Sequence, residues 1–167
     1  MLNIFCKKIN VYLLILVSLI VSTNMALTND FTKEKTEINH PIIIKPFKGA
    51  KSAAGYFTIK NYGPVTISLK AISMTLAKAM LHETTTDDDG IVRMSHVKKV
   101  DIPARGELVL KPGSFHIMIA GINRPLLLDD EIPAILIFEN DFEIKIVFKV
   151  TETAKRISSK DKKKHSH

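Results

Sequence analysis

The chain has 167 residues, the length of a single domain, and a formal net charge of +7. This charge lies at the two ends, because residues 30–154 carry sixteen basic and sixteen acidic side chains. The high net charge is therefore no evidence for a nucleic-acid-binding surface, which needs a basic patch on the folded domain, and we predict no nucleic-acid partner. The only cysteine is Cys6, so a disulfide framework is excluded as well.

The N-terminal segment has the features of an export signal. Lys7 and Lys8 precede an apolar run over residues 11–21, and we predict a signal peptide over residues 1–26. The uncharged stretch around this run is almost long enough to span a bilayer, so an uncleaved membrane anchor is the alternative. Cys6 precedes the apolar run, whereas the cysteine of a lipoprotein follows it. Both interpretations place the domain outside the cytoplasm.

The composition divides the rest of the chain into three parts. Residues 27–40 are polar and are predicted to be a flexible lead-in, and residues 41–152 are predicted to form the folded domain. Residues 153–167 are rich in lysine and lack apolar periodicity, which predicts a disordered tail. A solubilising or membrane-surface role is the simplest interpretation of this tail. Its His165 and His167 could also hold Cu(II) weakly, because imidazole binds that ion well.

Residues from 55 onward have the alternation of buried strands. The pattern is clearest where Ile144, Ile146 and Phe148 alternate with Lys145 and Val147. Short breaks that contain Gly, Pro or Asn divide the sequence into closely spaced strands, which is typical of all-β sandwiches and small barrels. A helical turn is indicated only over residues 72–80. The predicted strands are Gly55–Asn61, Val65–Ile72, Met80–Thr86, Ile91–Val97, Glu107–Leu110, Phe115–Ile122, Ala134–Glu139 and Glu143–Val150.

Four side chains in the middle of the chain are candidate metal ligands: His82, Met94, His116 and Met118. Imidazole nitrogen and thioether sulfur suit Cu(I) and suit calcium or magnesium poorly. A thioether is also a soft donor that, unlike a thiolate, cannot be lost to a disulfide outside the cytoplasm. Each residue taken singly has a simpler interpretation, as a core filler or a surface side chain.

The local geometry favours two pairs among these residues. An acidic cluster that ends in Asp89-Gly90 predicts a hairpin, and centring its loop on Asp88 places His82 directly opposite Met94. A two-residue turn would give a different register. His96 shares the strand face of Met94 and could assist, although a surface role is the simpler interpretation.

The second pair follows from strand geometry alone. His116 and Met118 share one strand face, while Phe115, Ile117 and Ile119 point the other way. The core is predicted to take the three apolar residues and to leave the histidine and the methionine outward or at a rim.

The spacing His-x11-Met-x21-His-x-Met resembles the signature of the periplasmic copper chaperones called PCu(A)C. The similarity extends over residues 41–150, although this chain lacks the tryptophan that many members carry ahead of the first flanking motif, and it has Glu83 where some members have Met. The flanking motifs are Ala53-Ala54-Gly55-Tyr56, Asp88-Asp89-Gly90, Lys111-Pro112-Gly113 and Gly121-Ile122-Asn123-Arg124-Pro125-Leu126.

The resemblance implies a cupredoxin-like Greek-key β-sandwich or barrel that binds Cu(I) through the two histidines and two methionines. It further implies a monomer that delivers copper to the Cu(A) site of cytochrome c oxidase subunit II, beside Sco-type copper proteins. The alternative is a periplasmic protein that buffers or sequesters copper without a dedicated acceptor.

Other functional classes find no support in the sequence. It contains no nucleophile elbow, no phosphate-binding glycine loop and no His-Glu-x-x-His, so we predict that the protein is not an enzyme. Blue-copper electron transfer needs a cysteine thiolate, and none follows Cys6. The acidic cluster at residues 87–89 lacks the glutamate spacing of a calcium loop.

Overall fold

The described part of this computed structural model comprises residues 33, 35–139 and 142–153, and its elements are ten β-strands. The predicted all-β class is therefore confirmed. The predicted signal peptide and most of the predicted tail lie outside the described residues. The strands are β1 (Thr36–Ile44), β2 (Ser52–Asn61), β3 (Ile67–Ser73), β4 (Lys78–Thr86), β5 (Val92–His96), β6 (Val100–Ile102), β7 (Glu107–Leu110), β8 (Phe115–Ala120), β9 (Glu131–Phe138) and β10 (Glu143–Thr151).

The ten strands belong to one mixed sheet. Its order is β5-β4-β8-β2-β1-β10-β9-β3-β6, and β1 and β10 are its parallel pair. One edge of β2 serves two strands, because its residues 52–55 pair with β8 and its residues 57–60 pair with β7. This order places β4 between β5 and β8, so the three strands that carry the candidate ligands are neighbours. Within the described residues, no helix is both long and apolar enough to cross a membrane.

Alternate side chains of the strands build a single apolar core. Phe57 of β2 meets Phe148 of β10 edge to face, with 5.8 Å between ring centroids. The alternation predicted for β10 is confirmed, since Phe148 and Val150 are buried while Lys145 and Lys149 are exposed. The largest fully buried side chains are Phe57, Phe138, Phe148, Ile43, Ile59, Leu69, Ile102, Leu110, Ile117, Ile119, Leu136 and Val150.

Strand β1 was not predicted, and its first residues fall in the range assigned to a flexible lead-in. That assignment is wrong for residues 36–40, which belong to β1, and residues 36–39 pair with β2. The pattern failed here because the register shifts between Asn39 and Ile42, where His40 has a φ of +52°. Such a bulge inserts an extra residue and reverses the alternation on which a strand prediction depends.

Two smaller features also differ from the predictions. The short strand β6 was missed, and three residues are too few to show alternation. The helical turn expected over residues 72–80 is absent from this described stretch, which passes from β3 through bends at residues 75–77 into β4. Met74 and Leu76 pack against the core there, so packing rather than helical hydrogen bonding orders the connection.

Candidate metal centre

The hairpin between β4 and β5 sets the first relation between the candidate ligands. Asp87 and Ile91 close the loop through a bond from Asp87 N to Ile91 O at 3.1 Å, and Gly90 N donates to Asp87 O at 2.9 Å. Gly90 has a φ of +78°, a conformation that glycine adopts without steric cost. The loop therefore has three residues, centred on position 89, one residue beyond the predicted centre.

This turn corrects the predicted pairing. His82 lies opposite His96, and Met94 lies opposite Thr84, so the expected direct pairing of His82 with Met94 is wrong. Moving the centre by one residue moves the register by two. Because side chains alternate with a period of two, Met94 stays on the face of His82 as a diagonal neighbour, about 7–8 Å away.

Strand β8 brings the other pair to the same face from across β4. His116 lies opposite His82, and Met118 lies opposite Met80. Three imidazoles thus form a row across β5, β4 and β8. The ring centroids of His82 and His96 are 5.8 Å apart, and those of His82 and His116 are 5.9 Å apart.

Exposure falls steadily along this histidine row. His96 at the sheet edge is exposed, His82 is half-buried, and His116 is only 4 % exposed. Ile117 and Ile119 point into the core, as predicted, and His116 lies on the opposite face, but it is buried there and is not outward or at a rim. The ring of Tyr56, 6.4 Å from that of His116, lies beside it, and burial raises the pKa of the Tyr56 hydroxyl.

The two inner histidines have complementary hydrogen-bonding states. His116 Nδ1 lies 3.0 Å from the carbonyl oxygen of Ser114, so this nitrogen carries the proton and Nε2 keeps its lone pair. His82 Nδ1 is buried and has no hydrogen-bond partner in the described part of the chain. A buried polar nitrogen without a partner costs free energy, and a bound metal ion would remove that cost.

His82 is also held in the neutral form. Burial lowers its pKa below the ordinary value of 6.5, and the neighbouring His116 and His96 lower this pKa further. A metal binds the neutral imidazole, so the lowered pKa reduces the competition from protons.

The methionines complete the set of donors on this face. Met94 is 57 % exposed at the sheet edge, whereas Met118 and Met80 are half-buried. In the described residues no three His, Cys, Asp or Glu side chains converge to hold a metal ion. A metal on this face would therefore need thioether donors beside the imidazoles.

The structure adds two donors that the predicted set did not contain. Met80 precedes His82 by two residues on β4, and His96 faces His82 from β5. The strand period could have identified Met80 from the sequence, since it shares the face of His82. The position of His96 depends on the hairpin register, which the sequence left open.

The lowered pKa of His82 leads to a prediction for the metal-free protein. As the pH falls below about 6.5, the unfolded chain takes up a proton that folded His82 resists, so the free energy of unfolding should fall. Urea denaturation between about pH 8 and pH 5 measures this slope. The His82→Gln variant should have a shallower slope over the same range. An equal slope in both proteins would contradict the assignment.

Comparison with known proteins places this geometry in a family context. The family model described as "Putative lipoprotein LpqE-like" matches residues 36–150. The "Putative lipoprotein Lxx21020" of Leifsonia xyli subsp. xyli (strain CTCB07) is 32 % identical over 93 residues. That alignment covers 55 % of this chain and 56 % of the relative, so it spans little more than half of the relative's length.

Solved structures share the fold. The "Apo PCuAC domain from PmoF1" is similar with a TM-score of 0.60 at 22 % identity, covering 71 % of this chain and 95 % of that domain. The "Copper-bound PCuAC domain from PmoF2" has a TM-score of 0.60 at 18 % identity, covering 71 % and 94 %. The "Solution structure of CuI-DR1885 from Deinococcus Radiodurans" has a TM-score of 0.56 at 26 % identity, covering 71 % and 78 %.

These similarities confirm the predicted cupredoxin-like fold, which is that of the PCuAC domains. The family match begins at the first residue of β1 and ends one residue before the end of β10, so it includes nine whole strands and nearly all of the tenth. Since this match covers most of the chain, the protein belongs to the LpqE-like family.

Proposed function

We propose that this protein is an exported, non-catalytic copper carrier that binds one Cu(I) through His82, Met94, His116 and Met118. The observation that supports it best is the pairing of His82 with His116 on adjacent strands, with the buried Nδ1 of His82 lacking a partner among the described residues. Similar domains are described as copper-bound in PmoF2 and as the Cu(I) form of DR1885.

The donor chemistry is consistent with Cu(I). Two neutral imidazoles and two thioethers add no charge to a monovalent ion, and soft sulfur donors favour Cu(I). The hydrogen bond from His116 Nδ1 to Ser114 orients the ring and leaves Nε2 as the donor. Met118 follows His116 by two residues on the same face, so β8 presents one nitrogen and one sulfur together.

The gradient of exposure favours a carrier. Met94 is exposed at the edge of the sheet, where a donor from an acceptor protein can replace it first. His116 is buried and would hold the ion until that exchange has begun. The resemblance supplies the acceptor, the Cu(A) site of cytochrome c oxidase subunit II, with Sco-type proteins as further partners. We propose that the carrier acts as a monomer.

The location is part of the same proposal. Export follows from the N-terminal apolar segment, and the lipoprotein description of the family supports attachment to a membrane. Cys6 precedes the apolar segment, so attachment through that segment is the form the sequence favours over lipidation of this cysteine.

Transfer of copper to an apo Cu(A) domain tests the proposal directly. The chain from residue 27 contains all described strands and can be loaded with Cu(I) in solution. The Met94→Leu variant loses one thioether ligand, so we expect it to release copper faster than the parent. Its affinity for Cu(I) should fall only roughly tenfold, because an exposed ligand contributes less to binding than a buried one. Met74→Leu is the matched control, since Met74 packs against the core outside the metal face. Failure of the loaded protein to transfer copper would contradict the carrier function.

A copper buffer is the second candidate, and one observation favours it. Met80 and His96 bring the donors on one face to six, more than a carrier needs. Deleting a carrier should impair oxidase assembly chiefly when copper is scarce, with little change in copper tolerance. A deletion strain that is copper-sensitive but has normal oxidase activity would instead establish the buffer.

A further inference from the structure

Two loops at one end of the sheet present large apolar side chains to solvent. Phe47 is 82 % exposed, Leu127 is 61 % exposed and Leu128 is 41 % exposed. We call these three residues the apolar tip. They follow the C-terminal ends of β1 and β8, whereas the β4–β5 hairpin lies at the opposite end of β4. None of the three residues of the apolar tip is a candidate metal ligand.

Hydrogen bonds hold both loops in place. Ala50 N donates to Phe47 O at 3.1 Å across a turn in which Gly49 has a φ of +87°. In the second loop, Asp130 Oδ2 accepts from Leu127 N at 3.0 Å and from Arg124 Nη1 at 2.7 Å. The exposed side chains are therefore presented by ordered turns.

The surroundings of the apolar tip are basic. The two loops enclose a cleft of about 660 Å³ whose floor includes the buried Ile122 and Leu126. The neighbouring carboxylates of Asp129 and Asp130 are neutralised by Lys149 and Arg124, while Glu152 stays on the rim. Around the apolar tip, Lys45, Lys48 and Lys51 are exposed and make no ion pair with another described residue.

The chain also leaves the domain at this end. Lys45 N donates to Thr151 O at 2.8 Å, so the last residue of β10 lies beside the first loop. Residues 154–167 follow, with six lysines and arginines and the single acidic residue Asp161. The sequence that follows the last described residue is therefore strongly basic.

We propose that the apolar tip and its lysines form a docking surface for an anionic phospholipid bilayer. Protruding aromatic and aliphatic side chains can enter the headgroup region, while lysines are attracted to anionic lipids. A protein partner is less well matched, because lysine is depleted in protein–protein interfaces. This inference does not depend on metal binding.

Tryptophan fluorescence tests the docking, because the chain contains no tryptophan. In the chain from residue 27, Phe47→Trp should shift its emission to shorter wavelength with phosphatidylglycerol-containing vesicles and shift little with phosphatidylcholine vesicles. Val147→Trp is the control, at a 49 % exposed position on β10. An unshifted Phe47→Trp signal, or an equal shift at position 147, would overturn the proposal.

Vesicle sedimentation then separates the contribution of the apolar side chains from that of the positive charge. The double variant Phe47→Ser/Leu127→Ser and a chain ending at residue 153 should each bind anionic vesicles at least several-fold more weakly than the parent. Added salt should weaken binding, because it screens the lysines. An unchanged circular dichroism spectrum and a cooperative urea transition would show that the double variant is folded. Full vesicle binding by the double variant would exclude a bilayer as the ligand of the apolar tip. A Phe47→Trp fluorescence shift that appears with acidic proteins and not with vesicles would exclude it as well.

Discussion

Replacing Met118 by leucine is expected to lower the affinity for Cu(I) by at least about 100-fold. Losing a side chain that only supports a metal ligand already lowers metal affinity by about 10–100-fold, and Met118 is proposed as a ligand itself. Leucine keeps the volume of the half-buried side chain but removes the sulfur donor. The metal-free variant should therefore stay within about 1.5 kcal/mol of the parent in its free energy of unfolding. Competitive titration with a Cu(I) chelator measures the affinity, and urea denaturation measures the stability.

Two further methionine variants make this result specific. Met74→Leu changes a methionine outside the metal face and should leave the affinity unchanged. Met80→Leu removes the sulfur directly opposite Met118. If Met80→Leu proved as damaging as Met118→Leu and Met94→Leu had no effect, Met80 would replace Met94 in the ligand set. Unchanged affinity in the Met118 variant would refute the site.

Replacing Phe148 by alanine is expected to cost about 3–5 kcal/mol, the usual range for removing a buried aromatic ring. Phe148 is fully buried and packs edge to face on Phe57. It also lies under β2, where an added Cβ at Gly55 would be 3.3 Å from Phe148 Cε1. Denaturation of the metal-free protein measures this loss, which is a large part of the total stability of about 5–15 kcal/mol typical of a domain.

The neighbouring position on β10 supplies the control for this effect. Val147→Ala changes a half-exposed side chain of the same strand and should alter the stability by no more than about 0.5 kcal/mol. If the free energy of unfolding of the Phe148 variant fell by less than about 1 kcal/mol, neighbouring side chains would have moved into the space left by the ring. That result would contradict the close packing observed around β2.

The face shared by residues two apart follows from backbone geometry, and it could be predicted from the sequence. His116 and Met118 lie on one face and Ile117 and Ile119 in the core for that reason. The same rule confirmed the alternation in β10 and failed in β1, where the bulge before Ile42 breaks the period. Local patterns predict strands well only while the ladder is regular.

The neighbours of each donor were decided by the tertiary structure. One left-handed residue, Gly90, sets the hairpin register and places His96, not Met94, opposite His82. The pairing of β4 with β8 brings His116 beside His82 and buries it near Tyr56. The sequence by itself determined which donors the chain has and which of them share a strand face, because those depend on residue type and on the period of one strand. Partner, register and burial depend on the turn and on the packing of the whole sheet, so only the folded chain decided them.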